Sequence, residues 1–259
     1  GVSRADAFRN AKQIIDWQER LGIYHERTIQ GWFLSSRWFI GFWNLFYGSV
    51  HFAAPVVTLV ALYHFDPGRY VRWRNTFLLM LVVALVGFWF YPLMPPRLLP
   101  STFGFVDTRL TYFTIGKPVP HSQETGNLYS AMPSLHIAWA TWAVFALWPL
   151  VRRYWARVLL ASYPVLMIFA TVVTANHFFL DAVGGWVVLA VAYTLALKVR
   201  GTWKLVLVAL IVVPFWTSFL IRTYAWMTLL GGNGIPRVLG WIGFDDIQLL
   251  NTPFAVSLG

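Results

Sequence analysis

The sequence predicts an all-α, polytopic membrane bundle of about six transmembrane helices, with a long external loop and an amphipathic N-terminal helix. Three observations carry this. First, apolar residues make up 58% of the 259 and charged residues only 12%, and the mean hydropathy is +0.59. That surplus exceeds what one soluble core can bury. Second, the apolar residues fall in runs near the ~20 residues a helix needs to cross a bilayer. Residues 38–65 and 75–96, for example, contain no Asp, Glu, Lys or Arg. Third, 15 Trp and 11 Tyr suffice for aromatic belts at both interfaces. The lack of Cys excludes disulfides, a thiolate nucleophile and Cys-ligated metals. A net charge of +10 could indicate nucleic acid. The basic residues instead form short clusters between apolar runs, which fits anionic lipid headgroups and argues against nucleic acid.

In chain order, residues 1–30 are mixed and charged. Ala7, Phe8, Ala11, Ile14, Ile15 and Leu21 recur at helical spacing between Arg9, Lys12, Asp16, Glu19 and Arg20, the pattern of an amphipathic helix lying on the membrane or on the bundle. A solvated linker helix fits the same pattern. The Trp- and Phe-rich stretch 32–47 reads as an interfacial helix leading into the first span. Six spans follow, at 46–65, 75–92, 134–151, 158–176, 178–197 and 205–222. The organisation is therefore an N-terminal interfacial segment (1–40), a transmembrane bundle (41–223) and an external tail (224–259). No internal repeat or low-complexity segment interrupts it.

Loop charge sets the orientation. Arg69, Arg72 and Arg74 follow the first span, Arg152, Arg153 and Arg157 the third, and Lys198, Arg200 and Lys204 the fifth. Alternating spans put these three links on one side, which the basic excess marks as cytoplasmic. The long link 93–133 and the turn around His177 are then external. Residues 1–40 are external too, and with no signal-peptide pattern at Gly1 the sequence expects a transmembrane helix upstream of it. The excess of Arg over Lys hints at a bacterial source, and the spans at its plasma membrane.

Two polar islands meet at that external face. Asp181 is the sole acid between Glu124 and Asp245, four residues after His177. An ionisable residue at membrane depth is costly and marks a functional site; at i, i+4 on a helix the two side chains share a face. The second island, Met132-Pro133-Ser134-Leu135-His136, opens the third span. Two histidines and a carboxylate allow phosphoryl transfer. His177 attacks phosphorus, Asp181 fixes its tautomer and stabilises the developing positive charge, and His136 protonates the leaving oxygen. Phosphate oxygens also need donors. Arg97 is the first candidate, then backbone N–H groups around Ser134 and Leu135 at a helix start, then Lys117 and His121 in the same loop. Asn44, Tyr47 and His51, at i, i+3 and i+7, either line a headgroup pocket or make hydrogen bonds within the bundle. Gly184-Gly185 allows close helix packing, and His25 and His64 read as surface or interface residues.

Pro133-Ser134-Leu135-His136 with His177-Phe178-Phe179-Leu180-Asp181 resembles the second and third signatures of the type 2 phosphatidic acid phosphatase superfamily. With Leu in the second signature and Pro95-Pro96-Arg97 upstream, it looks most like the branch containing inositol phosphorylceramide synthase and bacterial inositolphosphotransferase-like proteins. The resemblance covers about residues 40–200. It implies a six-helix membrane core, no metal or other cofactor, and a phosphohistidine intermediate on His177. Two family cations are missing: Phe90 stands at the Lys place of the first motif, and Thr171 at the place of an Arg six residues before the third-motif His. Leu98 replaces the Pro after Arg97. These departures weigh against simple phosphatidic acid phosphatase activity and suit a branch that handles phosphodiesters, so the expected reaction is transfer of an inositol-phosphate-type headgroup between membrane lipids. Three alternatives stand beside it. One is a polyprenyl or phospholipid phosphatase using water, another a hydrolase with His136, His177 and Asp181 as zinc ligands, and the last a non-catalytic lipid transporter or scaffold.

Overall fold

The computed structural model describes residues 3–112 and 128–198, and Val206. Lys117, His121, the sixth span and the tail 224–259 (Val206 apart) therefore lie outside the described residues. Eight α-helices are described: α1 Arg4–Arg20, α2 Glu26–Phe33, α3 Arg37–Phe65, α4 Pro67–Phe90, the single turn α5 Thr108–Thr111, α6 Leu135–Leu147, α7 Tyr154–Val173 and α8 Phe179–Lys198. They belong to one compact unit, Gly1–Arg200. Helices α3, α4, α7 and α8 are long and apolar enough to cross a membrane.

The interfacial helix expected at 32–47 does not exist as a separate element. Ser36 precedes α3, which runs unbroken from Arg37 to Phe65, while α2 ends at Phe33. Aromatic rings explain the fusion. Phe39 and Trp43 pack edge-to-face on Phe169 of α7 with centroids 6.1 and 4.9 Å apart, and Phe46 packs on Tyr163 of the same helix at 6.4 Å, so the first turns of α3 are already part of the bundle. The third span is shorter than expected. Helix α6 is 13 residues long, about 20 Å at 1.5 Å per residue, and it stops just before Pro149, which has no N–H to extend it.

Helix α6 is the axis of the bundle and packs against α3, α4, α7 and α8. Trp142 is buried, with its indole N–H donating to the Trp73 carbonyl of α4 at 3.0 Å. Gly184 and Gly185 have the packing role their sequence suggests. A Cβ on Gly185 would collide with the Ser134 carbonyl oxygen, and one on Gly184 would press on Met132 and Pro133 at 3.3 Å. Helix α8 thus lies directly against the start of α6. Gly185→Val is expected to destabilise the protein by about 1–3 kcal/mol through overpacking. Gly48→Ala, inside α3 where a Cβ meets nothing within 4 Å, is expected to keep stability or raise it by up to about 1 kcal/mol; thermal unfolding in detergent checks both.

Helix α1 lies on the protein. Ala7, Ala11, Ile14 and Ile15 are buried against Leu93, Met94, Leu99, Phe105, Ala131, Ala175 and Phe178. Each fully buried Ile side chain contributes roughly 1.5–3 kcal/mol relative to water. Polar ties hold the same contact: Asn10 donates to the Pro92 carbonyl at 2.8 Å, and Met94 N–H to the Ala7 carbonyl at 3.2 Å. The loop after α4 is pinned to the chain before α6 by Leu93 and Ser130, which pair as an isolated bridge. Helices α1 and α2, these loops and the α7–α8 turn therefore gather at one end of the bundle. At the other end, Arg69 reaches the Phe145 carbonyl at 3.5 Å.

Candidate active site

The site is built on the α7–α8 turn. Helix α7 ends by pointing two N–H groups back at its last turn: Ala175 N–H to the Val172 carbonyl at 2.9 Å, and Asn176 N–H to the Thr171 carbonyl at 2.8 Å. This is the Schellman geometry, whose left-handed position normally holds glycine. Here Ala175 fills it with φ 55°, at a cost of about 1–2 kcal/mol. Burial of Ala175, and the bond its carbonyl accepts from Arg97 N–H at 2.8 Å, hold that conformation. His177 follows, anchored by its own N–H to the Thr171 carbonyl at 3.2 Å.

Asp181 lies in the first turn of α8 and is fully buried. Its Oδ2 accepts from the Phe178 N–H at 2.9 Å and from His177 Nδ1 at 3.1 Å. A carboxylate can only accept, so Nδ1 carries the proton and Nε2 keeps the lone pair. That lone pair meets His136 Nδ1 at 3.2 Å, which makes His136 the donor. Asp181, His177 and His136 thus form one hydrogen-bonded relay across α8 and α6. His177 is only 4% exposed, whereas His136 is half-buried, so the relay opens on its His136 side.

Helix α3 supplies the bed for His136. Tyr47 stacks on the His136 ring with centroids 4.4 Å apart, and the His51 ring lies 4.4 Å away on a tilt. His51 Nδ1–H donates to the Tyr47 carbonyl at 2.6 Å. Asn44 does not join this group. Its side chain exchanges bonds with Thr108, accepting from the hydroxyl at 3.0 Å and donating to the carbonyl at 3.2 Å. It ties α3 to the loop, as the hydrogen-bonding reading of that stripe expects.

Arg97 sits beside the turn, 9% exposed. Its Nε donates to Asn176 Oδ1 at 3.0 Å and its Nη1 to Asp107 Oδ2 at 3.3 Å. A cavity of about 410 Å³ opens next to it, lined also by Arg4, Leu98 and Tyr129. A larger apolar groove of about 730 Å³, walled by Trp73, Phe145, Trp186 and Tyr193, contains none of these residues. Helix α6 begins at Leu135, as expected. The Ser134 N–H is not free for an anion, however: it donates to the Asp181 carbonyl at 3.1 Å, because Gly185 lets α8 approach so closely. Beside the first-turn N–H groups of α6, this helix start keeps the Ser134 hydroxyl, buried and without a hydrogen-bond partner among the described residues. Phe90, at the missing Lys place, is 79% exposed and faces away from the core. Thr171 serves the turn through its carbonyl. His25 and His64 are exposed, as expected.

Four polar residues of this region were not singled out by the sequence. Asn176 precedes His177 and could have been found as part of the same island. Asp107 is the acid nearest Arg97 in a loop of low charge. Gln18 and Glu26 look like ordinary polar positions of an amphipathic N-terminal segment. Yet both are fully buried and bond to the first turn of α8.

A helical membrane bundle with this relay at the adjoining starts of two helices has the make-up of a membrane-embedded phosphatase or phosphotransferase. A family model described as the PAP2 superfamily matches residues 12–195, and the chain belongs to that superfamily. It is similar to the inositol phosphorylceramide synthase catalytic subunit aur1 of Schizosaccharomyces pombe, 26% identical over 167 residues. The match covers 60% of this chain and 39% of that protein, so the chain spans about two fifths of that relative's length. No solved structure gives a significant match.

Proposed function

We propose that the protein is a lipid phosphotransferase that moves a phospho-headgroup of the inositol-phosphate type through a phosphohistidine on His177, at the external membrane face. The relay Asp181–His177–His136 carries this reading. His177 Nε2, with its lone pair held by the Asp181 bond to Nδ1–H, attacks phosphorus of a lipid phosphodiester. The P–Nε2 bond forms as the P–O bond to the lipid alcohol breaks, and that oxygen takes the electron pair. His136, doubly protonated beside the anionic substrate, gives the oxygen a proton. An acceptor hydroxyl then loses its proton to His136 and attacks phosphorus, and the P–N bond returns its pair to Nε2. Asp181 stabilises the positive imidazole ring throughout. Arg97, the Ser134 hydroxyl and the start of α6 hold the non-bridging oxygens.

The cation set supports a phosphodiester over a phosphomonoester. Phe90 and Thr171 carry no charge where the family has Lys and Arg, and Arg97 already shares its guanidinium with Asp107. A group of lower charge suits that site. The name of the relative supports an inositol-phosphate donor, and the basic links at the far end of the bundle support an external site. Metal binding finds less support. Among the described residues no three His, Asp or Glu side chains are grouped to hold an ion.

Turnover on a panel tests this reading: phosphatidylinositol with ceramide or diacylglycerol as acceptor, phosphatidic acid, and polyprenyl phosphates, each with and without EDTA. The expected result is headgroup transfer from phosphatidylinositol that survives EDTA. Activity lost with EDTA and restored by Zn²⁺ would replace the mechanism with a metal-dependent one. Release of inorganic phosphate alone would make it a phosphatase, and no turnover on any lipid would favour a transporter or scaffold.

A further inference from the structure

The start of a helix leaves N–H groups without partners, and the residue before the first turn normally accepts for them through a Ser, Thr, Asp or Asn side chain. In α8 that residue is Phe178, which cannot. Asp181 reaches back to the Phe178 N–H, as the acid of a capping box does. This leaves Phe179 and Leu180, and their acceptors come from the other end of the chain. Glu26 Oε1 accepts from Phe179 N–H at 2.8 Å, and Gln18 Oε1 accepts from Leu180 N–H at 3.0 Å. Gln18 also donates its amide to Glu26 Oε1, so the two acceptors brace each other. The accepting side chains Gln18, Glu26 and Asp181 are all buried.

We propose that Gln18 and Glu26 are positioning residues of the site: they cap α8 from outside and hold its first turn where the Asp181 carboxylate orients His177. The inference rests on the proposed role of His177. Asp181 Oδ2 serves the Phe178 N–H and the His177 ring together, so a first turn that frays or tilts carries the orienting carboxylate away from the imidazole. The N-terminal helices are then part of the catalytic machinery although neither touches the reacting atoms. Burial raises the Glu26 carboxyl above its usual pKa, and the hydrogen bonds it accepts offset this only in part. A neutral amide of the same shape is therefore a fair replacement.

The test uses the full chain in detergent, with Glu26→Ala, the milder Gln18→Ala and the conservative Glu26→Gln. Backbone hydrogen exchange over 178–181 is expected to quicken roughly 2- to 30-fold in the two Ala variants, the loss of one cap. The ¹⁵N signals of His177 should shift from a single Nδ1–H tautomer to a mixture. On phosphatidylinositol, kcat should fall by up to about 10²-fold, the cost of an ångström of misplacement, with KM little changed. Glu26→Gln, which keeps the acceptor oxygen, should restore all three. Unchanged exchange in both Ala variants would overturn the cap. Faster exchange with the His177 tautomer and kcat unchanged would overturn the positioning role, as would Glu26→Gln behaving like Glu26→Ala. A fully active His177→Ala would instead refute the nucleophile, and exchange and tautomer would still judge the cap.

Discussion

His177→Ala is expected to reduce turnover by roughly 10⁴-fold or more, because removing a covalent nucleophile leaves only binding and charge stabilisation. The measurement is release of the lipid alcohol from the preferred donor, with KM followed alongside. Substrate affinity should change little, since Arg97, Ser134 and the start of α6 remain. The substitution also strips a fully buried carboxylate of its partner, which by itself costs stability. His177→Gln, which keeps a donor within reach of Asp181, separates the two effects. It should fold normally and remain inactive.

His136→Ala is the second large effect, expected at about 10²–10⁴-fold, the usual worth of acid–base assistance. Its signature is dependence on the leaving group. A lipid alkoxide needs the proton that His136 supplies, whereas a nitrophenolate does not. The loss should therefore be large on the lipid and small on a nitrophenyl phosphodiester of the same headgroup. Equal losses on both would remove His136 from the role of acid. Tyr47 and His51 hold the His136 ring from α3, so the same comparison on Tyr47→Ala should give a weaker version of the same pattern.

Much of this was legible in the residues because a membrane amplifies polar signals. In a background of Val, Leu and Phe, an acid four residues after a histidine stands out, and loop charge is enough to bring residues 136 and 177 to one face. The structure places their ring nitrogens 3.2 Å apart. Helices stand at the five expected span positions that the described residues cover, for the same reason, with the differences confined to ends. The first span began early because the aromatic stretch packs on α7, and the third ended early at Pro149. What the sequence concealed lies in long-range backbone bonding. Ser134 looked like a donor at a helix start, but its N–H is spent on Asp181, a contact set by Gly185 and invisible to periodicity. Gln18 and Glu26 occupy positions of α1 and α2 that any solvated helix would fill with the same residues. Their partners are 162 and 153 residues away, and no local pattern reports such a bond. Asn176 shows the intermediate case, a polar neighbour whose role emerged only once Arg97 was found bonded to it.

The central claim, that phosphorus becomes bonded to His177, is tested most directly by trapping the intermediate. A single turnover with donor labelled at phosphorus would be quenched in alkali, where phosphohistidine survives, and the labelled peptide identified by mass spectrometry. The account predicts a label on His177 carrying the headgroup phosphate. It should be absent from His177→Gln and chased away by the acceptor alcohol. Turnover at the normal rate with no label on the protein, or a label on any other residue, would contradict it.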